Sequence, residues 1–180
     1  MSTAQAPFMR RVGLPPALAG ALWLGPMPGR QRPLQADLDD LAGAGVSRII
    51  CLAPLEEIGR RSPDYAAALP DLAIPVTGFP ISDFGVSDDE SGLRAVVDQA
   101  ARDLTEGRNL FLHCAAGIGR TGMVGICVLM ALGLRLEEAT AAISAAGSGP
   151  ETDIQKQFVC RFAAGDRQPA FPDFAAAGRP

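Results

Sequence analysis

His113-Cys114-Ala115-Ala116-Gly117-Ile118-Gly119-Arg120-Thr121-Gly122 sets a cysteine six positions before an arginine, with the only histidine of the chain in front of it. A strand that turns through glycines into a helix N-terminus aims backbone N–H groups and the positive end of the helix dipole at one point, and that point suits a phosphate. A free thiol titrates near about 8.5, but a helix N-terminus and a nearby cation bring such a group to roughly 3.5–7.5. Cys114 is therefore a candidate thiolate nucleophile. Arg120 offers a planar fork of donors for two phosphoryl oxygens. Ala115, Ala116, Gly117, Ile118 and Gly119 form the candidate substrate cradle, its glycines keeping side chains out of an anion nest. Thr121 could donate its hydroxyl to the sulfur and ease its departure. The same residues also fit a glycine-rich turn with an incidental cysteine, or an anion loop that carries sulfur on Cys114.

A phosphoryl group passing from oxygen to sulfur leaves an alkoxide or phenoxide that must be protonated, and general acids contribute typically about 10²–10⁴-fold. With His113 inside the loop, a carboxylic acid is the natural donor, and residues 82–90 offer Asp83, Asp88, Asp89 and Glu90. Asp83 beside Gly85 also fits a turn, and Asp88 and Asp89 fit helix-cap and surface positions. His113, before the cysteine on a buried strand, is better placed to hold the loop and tune the thiolate than to shuttle protons.

Residues 113–121 resemble the signature of the cysteine-dependent protein tyrosine and dual-specificity phosphatases, His-Cys-x-x-Gly-x-x-Arg-Ser/Thr. The resemblance implies hydrolysis of a phosphomonoester through a phosphocysteine on Cys114, with Arg120 as the clamp. Phe79-Pro80-Ile81-Ser82-Asp83 is similar to the Pro-Ile-x-Asp segment that carries the general acid in small dual-specificity phosphatases, which implies that role for Asp83. Glu151-Thr152-Asp153-Ile154-Gln155 is similar to a Gln-Thr-x-x-Gln segment that orders the hydrolytic water. Thr152 and Gln155 match it, Glu151 replaces the first glutamine, and a helix-capping Thr152 with a surface Gln155 fits as well. Together with Trp23-Leu24-Gly25, the order of these segments looks most like the kinase-associated phosphatase branch. In that branch a cysteine ending an early strand can form a disulfide with the nucleophile. Cys51 matches the position and is the implied redox partner, although a small core hydrophobe fits there too.

None of the residues between Cys114 and Arg120 is basic, whereas the superfamily's phosphoinositide phosphatases commonly carry lysines there. A single phosphomonoester on a phosphoprotein or phosphopeptide is expected, phosphotyrosine first and phosphoserine or phosphothreonine next. A small phosphorylated metabolite is the alternative substrate. A phosphate-binding pseudoenzyme and a sulfur-transfer protein are the readings from other classes. No cofactor and no metal are implied, since Arg120, backbone amides and the helix dipole supply positive charge.

The 180 residues, 48% hydrophobic, suffice for one domain with a sizeable core, and the net charge of -4 gives no general attraction to nucleic acid or anionic membrane. Cys51, Cys114, Cys127 and Cys160 are dispersed, with no Cys-x-x-Cys pair. Buried thiols in a reducing, cytoplasmic setting are expected rather than a zinc site. Arg10-Arg11 ahead of an apolar run superficially resembles an export signal, but Pro15-Pro16 interrupts that run.

The elements that must position these groups follow from periodicity. Residues 1–20 show no strand or helix period and read as an extended N-terminal arm; the domain spans 21–163, and 164–180 reads as a flexible tail. Strands are expected over 21–25, 46–52, 74–81 and 109–113, with Trp23 in the core. Helices are expected over 35–44, around Glu56-Glu57 and 65–69, and over 91–106, 123–132, 136–146 and from 151 or 152 onward. Asp37, Asp39 and Asp40 read as a solvated face, Ile154, Phe158 and Phe162 as inward, and Cys127 and Cys160 as helix core. Strands alternating with helices indicate an α/β domain of three layers, a mainly parallel central sheet with helices on both faces. The Cys114 loop then lies at a strand's carboxyl end, where such sheets bind ligands. The number of copies in an assembly leaves no trace in the sequence.

Overall fold

Five short strands carry the apolar alternation in the computed structural model, which describes residues 7–164. They are β1 (Arg10–Arg11), β2 (Leu22–Gly25), β3 (Val46–Cys51), β4 (Val76–Gly78) and β5 (Asn109–His113). The sheet order is β1-β2-β5-β3-β4, parallel from β2 to β4, with β1 antiparallel at the edge. Gly25, His113 and Cys51 stand side by side in the register, so β2, β5 and β3 end together. Everything chemical lies just beyond that line.

Side-chain alternation along the strands assigns the two faces. Leu22, Leu24, Ile50, Leu110 and Leu112 share one core with α4 (Glu90–Thr105), α5 (Gly119–Ala131), α6 (Leu136–Ala145) and α7 (Asp153–Ala164). The intervening Ile49 and Phe111 pack with Phe8 and with Leu41 of α1 (Leu34–Gly43). Cys51 joins Ile58 of α2 (Leu55–Arg61) and Tyr65 of α3 (Pro63–Ala68). The expected three-layer α/β fold is therefore the fold adopted. Every residue of α5 is buried, so the helix behind Cys114 is the centre of the larger core. Among the described residues no helix is long and apolar enough to cross a membrane.

Several local expectations are corrected. The stretch read as an arm without strand period pairs Arg10 with Leu24 and Arg11 with Trp23. Trp23 is only half-buried, with the Arg11 guanidinium 5.9 Å over its ring. The strand expected over 74–81 shrinks to three residues, because Pro75 and Pro80 have no N–H to give a ladder. Helix α5 begins at Gly119 rather than 123. Asp37 is buried, not solvated: it accepts from Gly29 N at 2.8 Å and from Arg32 Nε at 2.7 Å. Helix α7 buries Gln155, Phe158, Val159 and Phe162, a stripe of spacing three and four that leaves Ile154 and Cys160 one position off it and exposed. Cys127 is buried as expected. The tail read over 164–180 lies outside the described residues apart from Ala164, which ends α7.

His113 is fully buried between the sheet and α3, its ring stacked 5.5 Å from Phe111. Nδ1 lies 3.0 Å from the Cys114 carbonyl oxygen and Nε2 3.1 Å from the Tyr65 hydroxyl. A carbonyl only accepts, so Nδ1 carries the proton and Nε2 accepts from Tyr65. Both nitrogens are satisfied in the neutral ring. Burial accordingly pushes the His113 pKa down to about 4, below the ordinary value near about 6.5 of an unfolded chain. Between those values the unfolded chain binds a proton that the folded chain does not. The stability tied to this group is complete above about pH 6.5 and is lost as pH falls toward 4, on the order of 2 kcal/mol by pH 5. Urea midpoints measured from pH 7 to 5 are expected to fall in the wild type and to stay flat in His113→Gln, which starts from a lower value. Parallel curves would remove His113 as the cause.

Candidate active site

The loop after β5 is held by its carbonyls. Cys114 O meets His113 Nδ1. Ala115 O accepts from Met27 N at 3.1 Å and Arg30 Nη1 at 2.9 Å. Gly117 O accepts from Arg10 Nη2 at 2.6 Å and Ser148 Oγ at 2.7 Å. Ile118 O accepts from Gly122 N at 2.7 Å and Gly149 N at 3.3 Å. No peptide bond here is cis, so each N–H points opposite to the carbonyl of its own plane. The amides of Ala116, Ile118 and Gly119 are thereby turned to the other side, where none has a protein acceptor among the described residues. This is an anion nest at the N-terminus of α5. Gly117 makes the bend, with φ of +73° and no room for a Cβ against Gly25 O, and its N–H lies 3.3 Å from Cys114 Sγ. Ala115, Gly117 and Gly119 are buried, while Ala116 and Ile118 face outward.

Arg120 is 2% exposed and is held at both ends of its fork. Nη1 donates to Glu57 Oε2 at 2.7 Å and Nη2 to Glu57 Oε1 at 3.0 Å, while Nη1 also reaches Ile81 O at 3.0 Å. The guanidinium holds the Glu57 carboxyl below the usual carboxylate range. Glu57 is the residue the sequence reading missed. Its only trace was an acidic first turn after Pro54, beside the buried Ile58. Arg10 and Ser148 were also missed as loop supports.

Asp83 is brought to the same point. Its Oδ1 lies 2.9 Å from Arg120 Nη2 and its Oδ2 3.6 Å from Arg61 Nη2, with the side chain 42% exposed. Its segment hangs on the end of β3 through Phe79 N to Cys51 O and Ile81 N to Leu52 O, both 2.9 Å. The turn closes from Gly85 N to Ser82 O at 2.9 Å, and Phe84 within it takes φ of 59°, a left-handed angle that no other described non-glycine residue adopts. Asp88 takes no part in this arrangement, and Asp89 caps α4 by accepting from Gly92 N at 2.8 Å.

The segment at 151–155 closes the other side. Thr152 Oγ1 donates to Phe84 O at 3.1 Å and Gln155 Nε2 to Gly85 O at 3.0 Å. A Cβ at Gly119 would run into Glu151 Oε2 and lie 3.1 Å from Gln155 Oε1. Both side chains therefore stand over the loop, and Gln155 is buried rather than at the surface. Thr121 is buried, with no partner for Oγ1 among the described residues, and His113 holds the loop through the Cys114 carbonyl. Cys51 is free and 2% exposed; burial pushes its thiol up to about 11, with the charge of Cys114 acting in the same direction.

This arrangement of thiol, amide nest, guanidinium and carboxyl was compared with known proteins. A family model described as PTP-SAK, the Swiss Army Knife protein DSP-PTPase phosphatase domain, matches residues 23–171. No curated protein sequence matches. Among solved structures, a kinase associated phosphatase bearing serine for its catalytic cysteine has a TM-score of 0.77 at 21% identity, over 91% of this chain and 99% of that one. Tk-PTP in its active form has a TM-score of 0.68 at 22% identity, over 90% and 100%. Human DUSP28 has a TM-score of 0.65 at 19% identity, over 91% and 97%. These structures share the fold, and the family model shows the lineage: the chain belongs to the DSP-PTPase family of protein tyrosine and dual-specificity phosphatase domains.

Proposed function

We propose that this phosphatase works through a phosphocysteine, with Cys114 as nucleophile, Arg120 as phosphoryl clamp and Asp83 as general acid. The observation that carries the reading is the convergence of Asp83 Oδ1 on Arg120 Nη2 at 2.9 Å, the guanidinium on which the charge of Cys114 also acts. Attack of the thiolate on phosphorus displaces the ester oxygen, and Asp83 supplies the proton that oxygen takes up. In the second half-reaction water attacks the phosphocysteine, Asp83 recovers a proton from it, and the thiolate leaves. Glu151 and Gln155, beside Gly119, orient that water on this reading. Glu57 acts through Arg120 as a positioning residue.

The substrate we infer is a phosphoprotein or phosphopeptide with a single phosphate, phosphotyrosine first. No basic residue lies between Cys114 and Arg120 to receive further phosphates. The large hydrophobics left exposed among the described residues are Leu55, Phe84, Ile118 and Ile154. Each lies in the loop or within two residues of Glu57, Asp83 or Gln155, which suits an aryl ester. A cytoplasmic setting is inferred from the dispersed cysteines, none in a Cys-x-x-Cys pair. There, Cys51 is the proposed partner of an oxidised nucleophile: a sulfenic acid on Cys114 condenses with the Cys51 thiol, releasing water and forming the disulfide.

Hydrolysis of an aryl phosphate is expected in the wild type, with inhibition by vanadate, and is expected to vanish in Cys114→Ser. An active Cys114→Ser would end the mechanism. Asp83→Ala should lower kcat at slightly acidic pH by about 10²-fold or more, with Asp88→Ala near wild type; the reverse order would move the acid. Glu57→Gln should lower kcat/KM by about tenfold and weaken vanadate inhibition, because a guanidinium clamped on one side only loses its alignment. Unchanged inhibition would make Glu57 structural only. After mild peroxide, peptide mapping should find Cys51 joined to Cys114, and a sulfonic acid at Cys114 beside free Cys51 would refute the pairing.

A further inference from the structure

Arg10 reaches the active-site loop from outside, leaving the edge strand β1 to join three segments. Nη2 donates to Gly117 O at 2.6 Å and to Ser148 Oγ at 3.1 Å, and Nη1 to Gly147 O at 2.9 Å. The turn between α6 and α7 is shaped around it: Gly147 has φ of +73°, and a Cβ there would lie 3.2 Å from Nη1. All of these acceptors are neutral. Arg32, Arg48, Arg61, Arg108 and Arg120 each have a carboxylate within ion-pair distance, whereas Arg10 has none among the described residues. A half-buried cation with only neutral acceptors is costly unless an anion is supplied nearby. Burial pushes the Arg10 pKa down, and the charge that opposes this is that of Cys114.

We propose that Arg10 is a positioning residue of the catalytic loop: it holds the Gly117 carbonyl outside, which turns the Ile118 N–H toward a bound phosphoryl group, and its unpaired charge supports the Cys114 thiolate. The proposal rests on Cys114 as nucleophile. It ties the N-terminal segment to turnover, since β1 is held to β2 by two residue pairs and by Val12 N to Leu22 O at 2.9 Å. The other ionisable groups about the thiol are Arg30 on the Ala115 carbonyl, Arg120 with its partners Glu57 and Asp83, Cys51 of β3 and His113 of β5. None is altered by the variants below.

The test uses the full chain as wild type, Arg10→Met, Arg10→Lys and Ser148→Ala. Three quantities are read: thermal melting, vanadate inhibition of aryl phosphate hydrolysis, and the pH dependence of Cys114 alkylation by iodoacetamide, followed on its own peptide by mass spectrometry. Arg10→Met is expected to weaken vanadate about tenfold and to slow Cys114 alkylation at neutral pH. Arg10→Lys keeps the charge and should restore the alkylation profile but not the vanadate affinity, because an ammonium cannot span the three acceptors. Ser148→Ala should leave the alkylation profile unchanged and weaken vanadate about two- to threefold. A folded Arg10→Met with wild-type alkylation and vanadate inhibition overturns the proposal. If Arg10→Met does not fold, wild-type vanadate affinity in both Arg10→Lys and Ser148→Ala overturns it. An inactive wild type would instead end the phosphatase mechanism, while the alkylation profiles would still report on Arg10.

Discussion

A guanidinium with 2% of its surface exposed has to be neutralised before any substrate arrives, and much of the architecture around Arg120 follows from that need. Leaving such an ion unpaired costs several kcal/mol, so the fold supplies an anion of its own. Glu57 takes both ends of the fork, which neutralises the charge and fixes the guanidinium plane. Helix α2 exists to deliver that carboxylate. Its first turn sets Glu57 beside the buried Ile58, and Ile58 with Tyr65 and Cys51 forms the small core under it. The same core fixes the Tyr65 hydroxyl on His113, and His113 fixes the Cys114 carbonyl. Charge compensation and loop geometry are thus built on one cluster of side chains.

The amide nest has the complementary requirement. To present N–H groups to an anion, the loop must send its carbonyls the other way, and each then needs a donor. Those donors come from far along the chain: Arg10 of β1, Met27 and Arg30 after β2, Ser148 and Gly149 between α6 and α7. The glycines within the loop permit its shape; the distant donors select it. Sheet register brings these segments within reach, because Gly25 and Cys51 flank His113 and the strands end together.

This division explains what could be read in advance. The strands, the α/β alternation and the buried α5 follow from apolar periodicity, a property of each segment by itself. Cys114 and Arg120 stood out because their chemistry is tied to local spacing, and Asp83 only because residues 79–83 resemble the family's acid-bearing segment. Glu57, Arg10 and Ser148 act across separations of 63, 107 and 31 residues, and nothing near them in sequence points to those partners. Asp37 looked like a surface acid because its partners, Gly29 N and Arg32, sit in the preceding turn, outside the helical pattern that carried the reading. Ile154 failed for a different reason. Three apolar residues at spacing four suggested one stripe, but Gln155, needed against Gly85 O, takes the inward place and turns Ile154 out.

Asp83 completes the charge balance around Arg120. Its carboxylate shares Arg120 with Glu57 and also faces Arg61, so the guanidinium holds two carboxylates at once. Phosphoryl oxygens arriving from the nest compete for the N–H that Asp83 occupies, not for those held by the bidentate, buried Glu57. On the proposed mechanism the exposed partner yields. On that mechanism Arg120 exchanges Asp83 for substrate while Glu57 keeps the clamp aligned.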